Sequence, residues 1–200
     1  DLQTEMRDYG RARSYYLEAL ALTPPWALQD LASRRMGVAQ MTNIVGDRPE
    51  AFALLEPALQ QFRKSQNAWG EAEALLLAGY FHDKAGHLPE SLAAHRQALR
   101  LRESLNNSSD IINSLTHLAA VLSRLGRHDE AIQTGLRGAA MADTTDSPAL
   151  QWDVHGALAK ALAAQGQHEQ AFVHMQKAER ALLRLSRLDL LSQTAAIREK

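Results

Sequence analysis

The chain has no cysteine, so disulfides and thiolate metal sites are excluded, and an intracellular, cytoplasmic setting is favoured over an oxidising one. Aromatic residues are scarce, at 6% of the 200 residues, although 46% of the chain is hydrophobic. Any core must therefore be built from Ala and Leu instead of large rings, which suits a long, shallow core. No apolar run approaches the roughly 18 residues of a membrane span, and the first residues lack the pattern of a signal peptide. Charge of one sign is missing too: 22 Lys and Arg against 23 Asp and Glu leave a formal net charge of −1. Neither nucleic acid nor an anionic membrane is expected as a partner of this segment. Phosphate-cradling glycine loops, nucleophile elbows and H-x-x-x-H or H-E-x-x-H pairs are absent as well, and no Ser or Thr stands in an activating context. Catalytic, cofactor and metal sites are all expected to be none.

What is present is periodicity. Leu115, Leu118, Leu122 and Leu125 recur at steps of three and four, one face of an α-helix, and Gly126 stops that helix. Asp129 and Glu130 then supply negative charge to the first turn of a second helix, where free N–H groups and the helix dipole favour it. A hairpin of this length cannot bury its apolar faces alone, so copies should stack beside it. Gly46, Gly86, Gly126 and Gly166 mark four such turns at intervals of 40 residues. Five residues after each glycine stands a small residue, Ala51, Ser91, Ala131 or Ala171, and seven further on Ala58, Ala98, Gly138 or Ala178. Seven to eight residues before each glycine come Val38-Ala39, Ala78-Gly79, Leu118-Ala119 and Leu158-Ala159. Small residues at fixed places are what closely crossing helices require.

These residues resemble the tetratricopeptide repeat (TPR) family, and the stretch from Asp8 to Pro25 is similar to the second half of one repeat with its closing proline. The interval exceeds the family's basic length of about 34 residues. The added length follows the second helix, in residues 98–110, as in the lengthened variant of many bacterial signalling and regulatory proteins. The resemblance implies an all-α fold, a right-handed α-solenoid of stacked antiparallel helical hairpins. It divides the chain into a partial repeat at 5–25, hairpins at 31–65, 70–105, 109–142 and 148–185, and a C-terminal capping or exit helix at 186–200, all in one solenoid. Because the chain begins inside a repeat and ends in a helical pattern, it is expected to be a piece of a longer protein.

Several details are expected within this frame. Trp26 should cover the end of the first hairpin, and Pro57 should kink its helix. Gly135 and Gly138 each cost about 1 kcal/mol in a helix interior and mark either tight packing or a hinge. After Ala178 the chain either continues its helix or breaks near residues 186–189 into a cap. Leu182, Leu185, Leu188 and Leu191 would then cover the last hairpin or pair with a second copy, a homodimer through the C-terminal helix. The histidines fit packing positions better than ligand positions.

In such an architecture the first helix of each hairpin lines the inner surface. Outward positions there include Met36, Leu76, Thr116 and Gly156. They also include Asn43, Tyr80, Asp83, Lys84, Asn113, His117, Arg124 and Lys160, which are the expected partner-binding residues. Asn43 and Asn113 suit the main chain of a bound peptide, Lys84, Arg124 and Lys160 a carboxylate, and Tyr80 an interface anchor. Three functions follow from the resemblance. The first is a regulatory interaction module of a multidomain bacterial signalling protein. Residues 171–187 are similar to the last repeat that precedes the output domains of diguanylate cyclases, histidine kinases or large LuxR-type regulators. The second is a peptide-pheromone receptor and the third a pure assembly scaffold. All three bind a protein or peptide and perform no catalysis.

Overall fold

The structure, a computed structural model, describes the backbone of residues 2–198 and the side chains of residues 8–187. Among the described residues there are nine α-helices and no strand. The helices are α1 (Leu2–Ala21), α2 (Leu28–Ile44), α3 (Arg48–Lys64), α4 (Ala68–Ala85), α5 (Leu88–Leu105), α6 (Ser108–Arg124), α7 (His128–Ala142), α8 (Pro148–Ala164) and α9 (His168–Arg198). They form two compact units, α1 to α5 up to Leu105 and α6 to α9 from Asn106 onward.

Local chemistry sets the helix ends. Gly46, Gly86, Gly126 and Gly166 all have positive φ, between 73° and 103°, a backbone state that costs a side-chain-bearing residue energy. At Gly126 the next N–H, that of Arg127, returns 2.9 Å to the carbonyl of Leu122 and satisfies a free helix-end acceptor. Two of the turns that join one hairpin to the next use Gln66 and Asn106 in the same left-handed state. Entry into helices is capped by side chains: Asp47 accepts from Glu50 N–H, Asn67 from Gly70 N–H at 2.8 Å, Asn107 from Ser109 and Asp110 N–H, and Ser147 from Leu150 N–H. Pro49 and Pro148 occupy first turns, where a missing N–H costs nothing.

In the first unit α2 pairs with α3 and α4 with α5, while α1 lies on α2 and α3 on α4. Ala39, Ala51, Ala58, Leu55, Phe62, Leu75, Phe81 and Ala98 form its core, with Phe52 packed edge-on against Phe81 at 5.5 Å between ring centres. The small positions are sites of close approach. A methyl group on Gly79 would come within 2.6 Å of the His95 ring, and buried Ser91 donates from Oγ to the Gly79 carbonyl at 2.8 Å. Arg102, fully buried on α5, pairs with Glu73 of α4. Arg13 ties α1 to its neighbours, donating to both carboxylate oxygens of Glu50 and through Nε to buried Thr42.

In the second unit α6 pairs with α7 and α8 with α9, and α8 also packs on both α6 and α7. The core is Ile112, Leu115, Leu118, Leu122, Ile132, Val154, Leu158 and Leu162. A methyl group on Gly138 would stand 2.8 Å from Val154 Cγ2, and one on Gly135 3.0 Å from Leu158 Cδ1. Close packing of α8 on α7 is therefore the physical reason for both glycines.

One expectation is corrected, and of the two alternatives for the C-terminal end one is realised. Trp26 is 80% exposed and covers nothing, because the 2.9 Å bond from the Ala27 N–H to the Pro24 carbonyl closes a turn that holds the ring outward. At the C-terminal end α9 is one continuous helix to Arg198, so no separate cap forms in the described residues. Leu182 on it is exposed and Leu185 half-buried, and Leu188 and Leu191 lie outside the residues whose side chains are described. As for Pro57, α3 runs unbroken through it from Arg48 to Lys64. No helix among the described residues is long and apolar enough to cross a membrane.

Candidate functional site: a groove on α6 and α8

The outward faces of α6 and α8 share a groove of about 510 Å³ in the second unit. Ala120, Ser123 and Arg124 of α6 form one wall, and Trp152, Asp153, Gly156, Ala157 and Lys160 of α8 form the other, with Met175 of α9 at its edge. A second cavity of about 240 Å³ continues along the same helices and is lined by Asn113, Thr116, His117, Leu150 and Asp153. Asp153 belongs to both. The helical period explains the arrangement, since residues 113, 116, 117, 120, 123 and 124 fall on one face of α6, and 152, 153, 156 and 160 on one face of α8.

Four of the expected binding residues, Asn113, His117, Arg124 and Lys160, are thus brought to one continuous trough. Its polarity is graded. Lys160 and Arg124 stand at one end and Asp153 nearer the other. Burial pushes the Asp153 carboxyl up, against the opposing pull of His117. Trp152, 36% exposed, was not anticipated. The register places it with Ala32, Ala72 and Ile112, all fully buried, so its position in the repeat pointed to the core. Its large ring at a place held by Ala or Ile in the other hairpins was the signal available in the sequence.

The remaining expected residues belong to the first unit. Tyr80 is exposed near the end of α4, with Lys84 Nζ 5.3 Å from its ring centre, a cation–π contact; Asp83 is half-buried beside them. A cavity of this unit, about 280 Å³, lies elsewhere, among Phe52, Leu55, Glu56, Leu75, His82, Glu90 and Gln97 of α3, α4 and α5. Asn43 is only 8% exposed, so it does not stand on an open face to receive a peptide main chain.

One cluster has no counterpart in the sequence, where the histidines fit packing positions. His155, 1% exposed, has Nε2 2.9 Å from Asp143 Oδ1 and Nδ1 3.0 Å from His174 Nδ1, and the two rings stack. Lys177 Nζ donates to the other Asp143 oxygen at 2.8 Å. His155 Nε2 donates to the carboxylate, and of the two facing Nδ1 atoms one donates and the other accepts. Burial first, then the charges of His155 and Lys177, lower the His174 pKa against the pull of Asp143. Burial alone would raise the Asp143 carboxyl, but hydrogen bonds from Lys177 and His155 outweigh it and hold it below the usual range. Among the described residues no group of three or more His, Cys, Asp or Glu is arranged to hold a metal ion.

Helical hairpins stacked in a 40-residue register, with an open groove along their first helices, define a TPR-like α-solenoid fold. No family model matches the chain, and no curated protein matches it. Solved structures do. BtubC (BKLC) from P. vanneervenii superimposes with a TM-score of 0.76 at 17% identity, over 93% of this chain and 78% of that one. A kinesin light chain from Podosopora anserina with nearly identical TPR-like repeats gives 0.68 at 16% identity, over 93% and 97%. A Rap protein complexed with competence and sporulation factor gives 0.65 at 16% identity, over 91% of this chain and 61% of its own length. At such identities the likeness establishes the fold.

Proposed function

We propose that this chain is a cytoplasmic protein-interaction module, the regulatory part of a larger bacterial signalling protein, and that it recognises a protein or peptide segment in the α6/α8 groove. The observation that carries this reading is the groove itself: an elongated trough with an exposed Trp152 ring, two cations at one end and a carboxylate nearer the other. Flat amphipathic rings and planar donor forks are the groups that anchor interfaces. A trough open along two helices does not enclose a small metabolite, whereas an extended or helical segment lies along it. The Rap protein with the same fold is one whose structure contains competence and sporulation factor, which supports a peptide-sized ligand. Tyr80, Asp83 and Lys84 are proposed as a second contact point on the first unit, and α9 as a surface for a second copy. A pheromone receptor or an assembly scaffold would use the same groove and differ in what the longer protein attaches to it.

A photo-crosslinking amino acid placed at Ser123 or Ala157 in the groove, and at exposed Gln133 on α7 as a control, tests the proposal in cells. Discrete protein adducts from Ser123 and Ala157 but not from Gln133 are expected, and they should vanish on Trp152→Ala. Adducts from Gln133 alone would move the site to the outer helices.

A further inference from the structure

We infer that Gly156 opens a side-chain pocket in this groove, and that the pocket receives a bulky apolar side chain of the bound segment with a carboxylate next to it. The inference rests on the groove being the recognition face and says what it recognises.

Five of the glycines inside helices have a packing reason. A methyl group on Gly37, Gly70, Gly79, Gly135 or Gly138 would press into Tyr16, Phe62, His95, Leu158 or Val154 respectively. Gly156 has no such reason, because a methyl group there would meet nothing within 4 Å. Glycine in a helix interior costs about 1 kcal/mol relative to alanine. At Gly156 the fold returns nothing for that cost. Gly10 shares the freedom but lines none of the cavities described above.

The register shows what is missing. Counting back by 40, the same position holds Thr116, Leu76 and Met36, each half-buried on the outward face of its helix. Only at Gly156 is the side chain gone, and there the cavity crosses α8, bordered by α6 on one side and by Met175 of α9 on the other. Trp152 stands one turn before Gly156 and Lys160 one turn after it, on the same face. An incoming Leu, Met or Phe would take the place that Leu76 and Met36 fill for themselves, against the apolar surfaces of Trp152 and Met175. Exposed Lys160, with Arg124 close by, makes that end of the pocket positive, and Asp153 makes the other end unsuitable for a second carboxylate. Charge complementarity thus orients the segment, with its acidic residue toward Lys160.

A random peptide library displayed on phage, selected against the full chain, tests this. Enriched peptides should share a bulky apolar residue beside an Asp or Glu, and should bind at least about tenfold more weakly to Gly156→Leu and to Lys160→Glu. Gly156→Leu adds its side chain to open space and removes a helix-interior glycine, so its helicity and melting temperature should be no lower than the parent's; Gly156→Met, the residue of the first hairpin, serves as a second filling variant. Peptides lost on Trp152→Ala but bound equally by both filling variants would overturn the pocket and leave the groove standing. Peptides indifferent to Trp152→Ala, or a library from which nothing is enriched, would overturn the groove and the pocket together.

Discussion

Gly138 and Gly156 carry the same helix penalty, yet they should respond oppositely to a single methyl group. On Gly138 the new carbon falls 2.8 Å from Val154 Cγ2 and 3.3 Å from Leu115 Cβ, both held in the core. Overpacking of this kind costs about 1 to 3 kcal/mol, and the gain in helix propensity offsets only about 1. Gly138→Ala should therefore destabilise the chain by up to about 2 kcal/mol, and Gly156→Ala should stabilise it by up to about 1 kcal/mol. Urea titrations of the two variants measure the difference, and equal midpoints would contradict the packing of α7 on α8. The histidine pair gives a second residue-scale expectation. A His whose pKa is lowered on folding binds fewer protons than in the unfolded chain, so stability is intact above the unfolded value near 6.5 and falls as pH drops below it. Asp143, held low, loses its contribution only at more acidic pH, below its ordinary value of 3.8. Melting temperatures measured between pH 7.5 and 5 should therefore decline, and His174→Gln should flatten that decline. A slope unchanged by the substitution would assign the effect to other groups, His82 among them, whose pKa burial also lowers.

Four of the helices, α3, α4, α6 and α8, begin where a side chain caps them. Asn107→Ala and Ser147→Ala each remove an oxygen that accepts helix-end N–H groups, and each should cost about 1 kcal/mol. Asn67 does more, because its amide also donates to Gln29 of α2 at 3.0 Å, so Asn67→Ala should cost more than the other two. Circular dichroism melts of the three variants rank them, and an Asn67 variant no worse than Ser147→Ala would show that the bond to Gln29 contributes little. The outer face of α9 is a second feature at this scale. Phe172 is 63% exposed, whereas Leu92 and Ile132 at the same repeat position are buried. Leu182 follows on the same stripe, and Glu169 at one end of it carries the charge opposite to that of Arg187 at the other. Two antiparallel copies would match apolar stripe to apolar stripe and acid to base. Sedimentation should show concentration-dependent dimers that Phe172→Glu converts to monomers; a chain monomeric at every concentration rules this pairing out.

Within each unit the contacts among the described residues run between neighbouring helices, the condition under which repeat proteins are stabilised by intrinsic and nearest-neighbour terms. Each compact unit holds its own core, so a fragment from Asn106 onward should remain helical and melt cooperatively, and a fragment without a melting transition would show that its fold depends on the first unit. The sequence by itself determined the helices, their turns and the small contact positions. All three rest on local chemistry: positive φ at the turn glycines, capping oxygens before α3, α4, α6 and α8, and room for only a methyl group where helices cross. It also placed Asn113, His117, Arg124 and Lys160 on faces that meet in one groove. Tertiary structure alone decided the rest. His155, Asp143 and His174 are separated by 12 and 19 residues, and nothing in their spacing pairs them. Asn43, expected on an open face, is buried, because exposure depends on which element packs over a residue and not on its place in the repeat. The opening at Gly156 has the same origin: a missing side chain becomes a pocket only when no neighbour moves in to fill it.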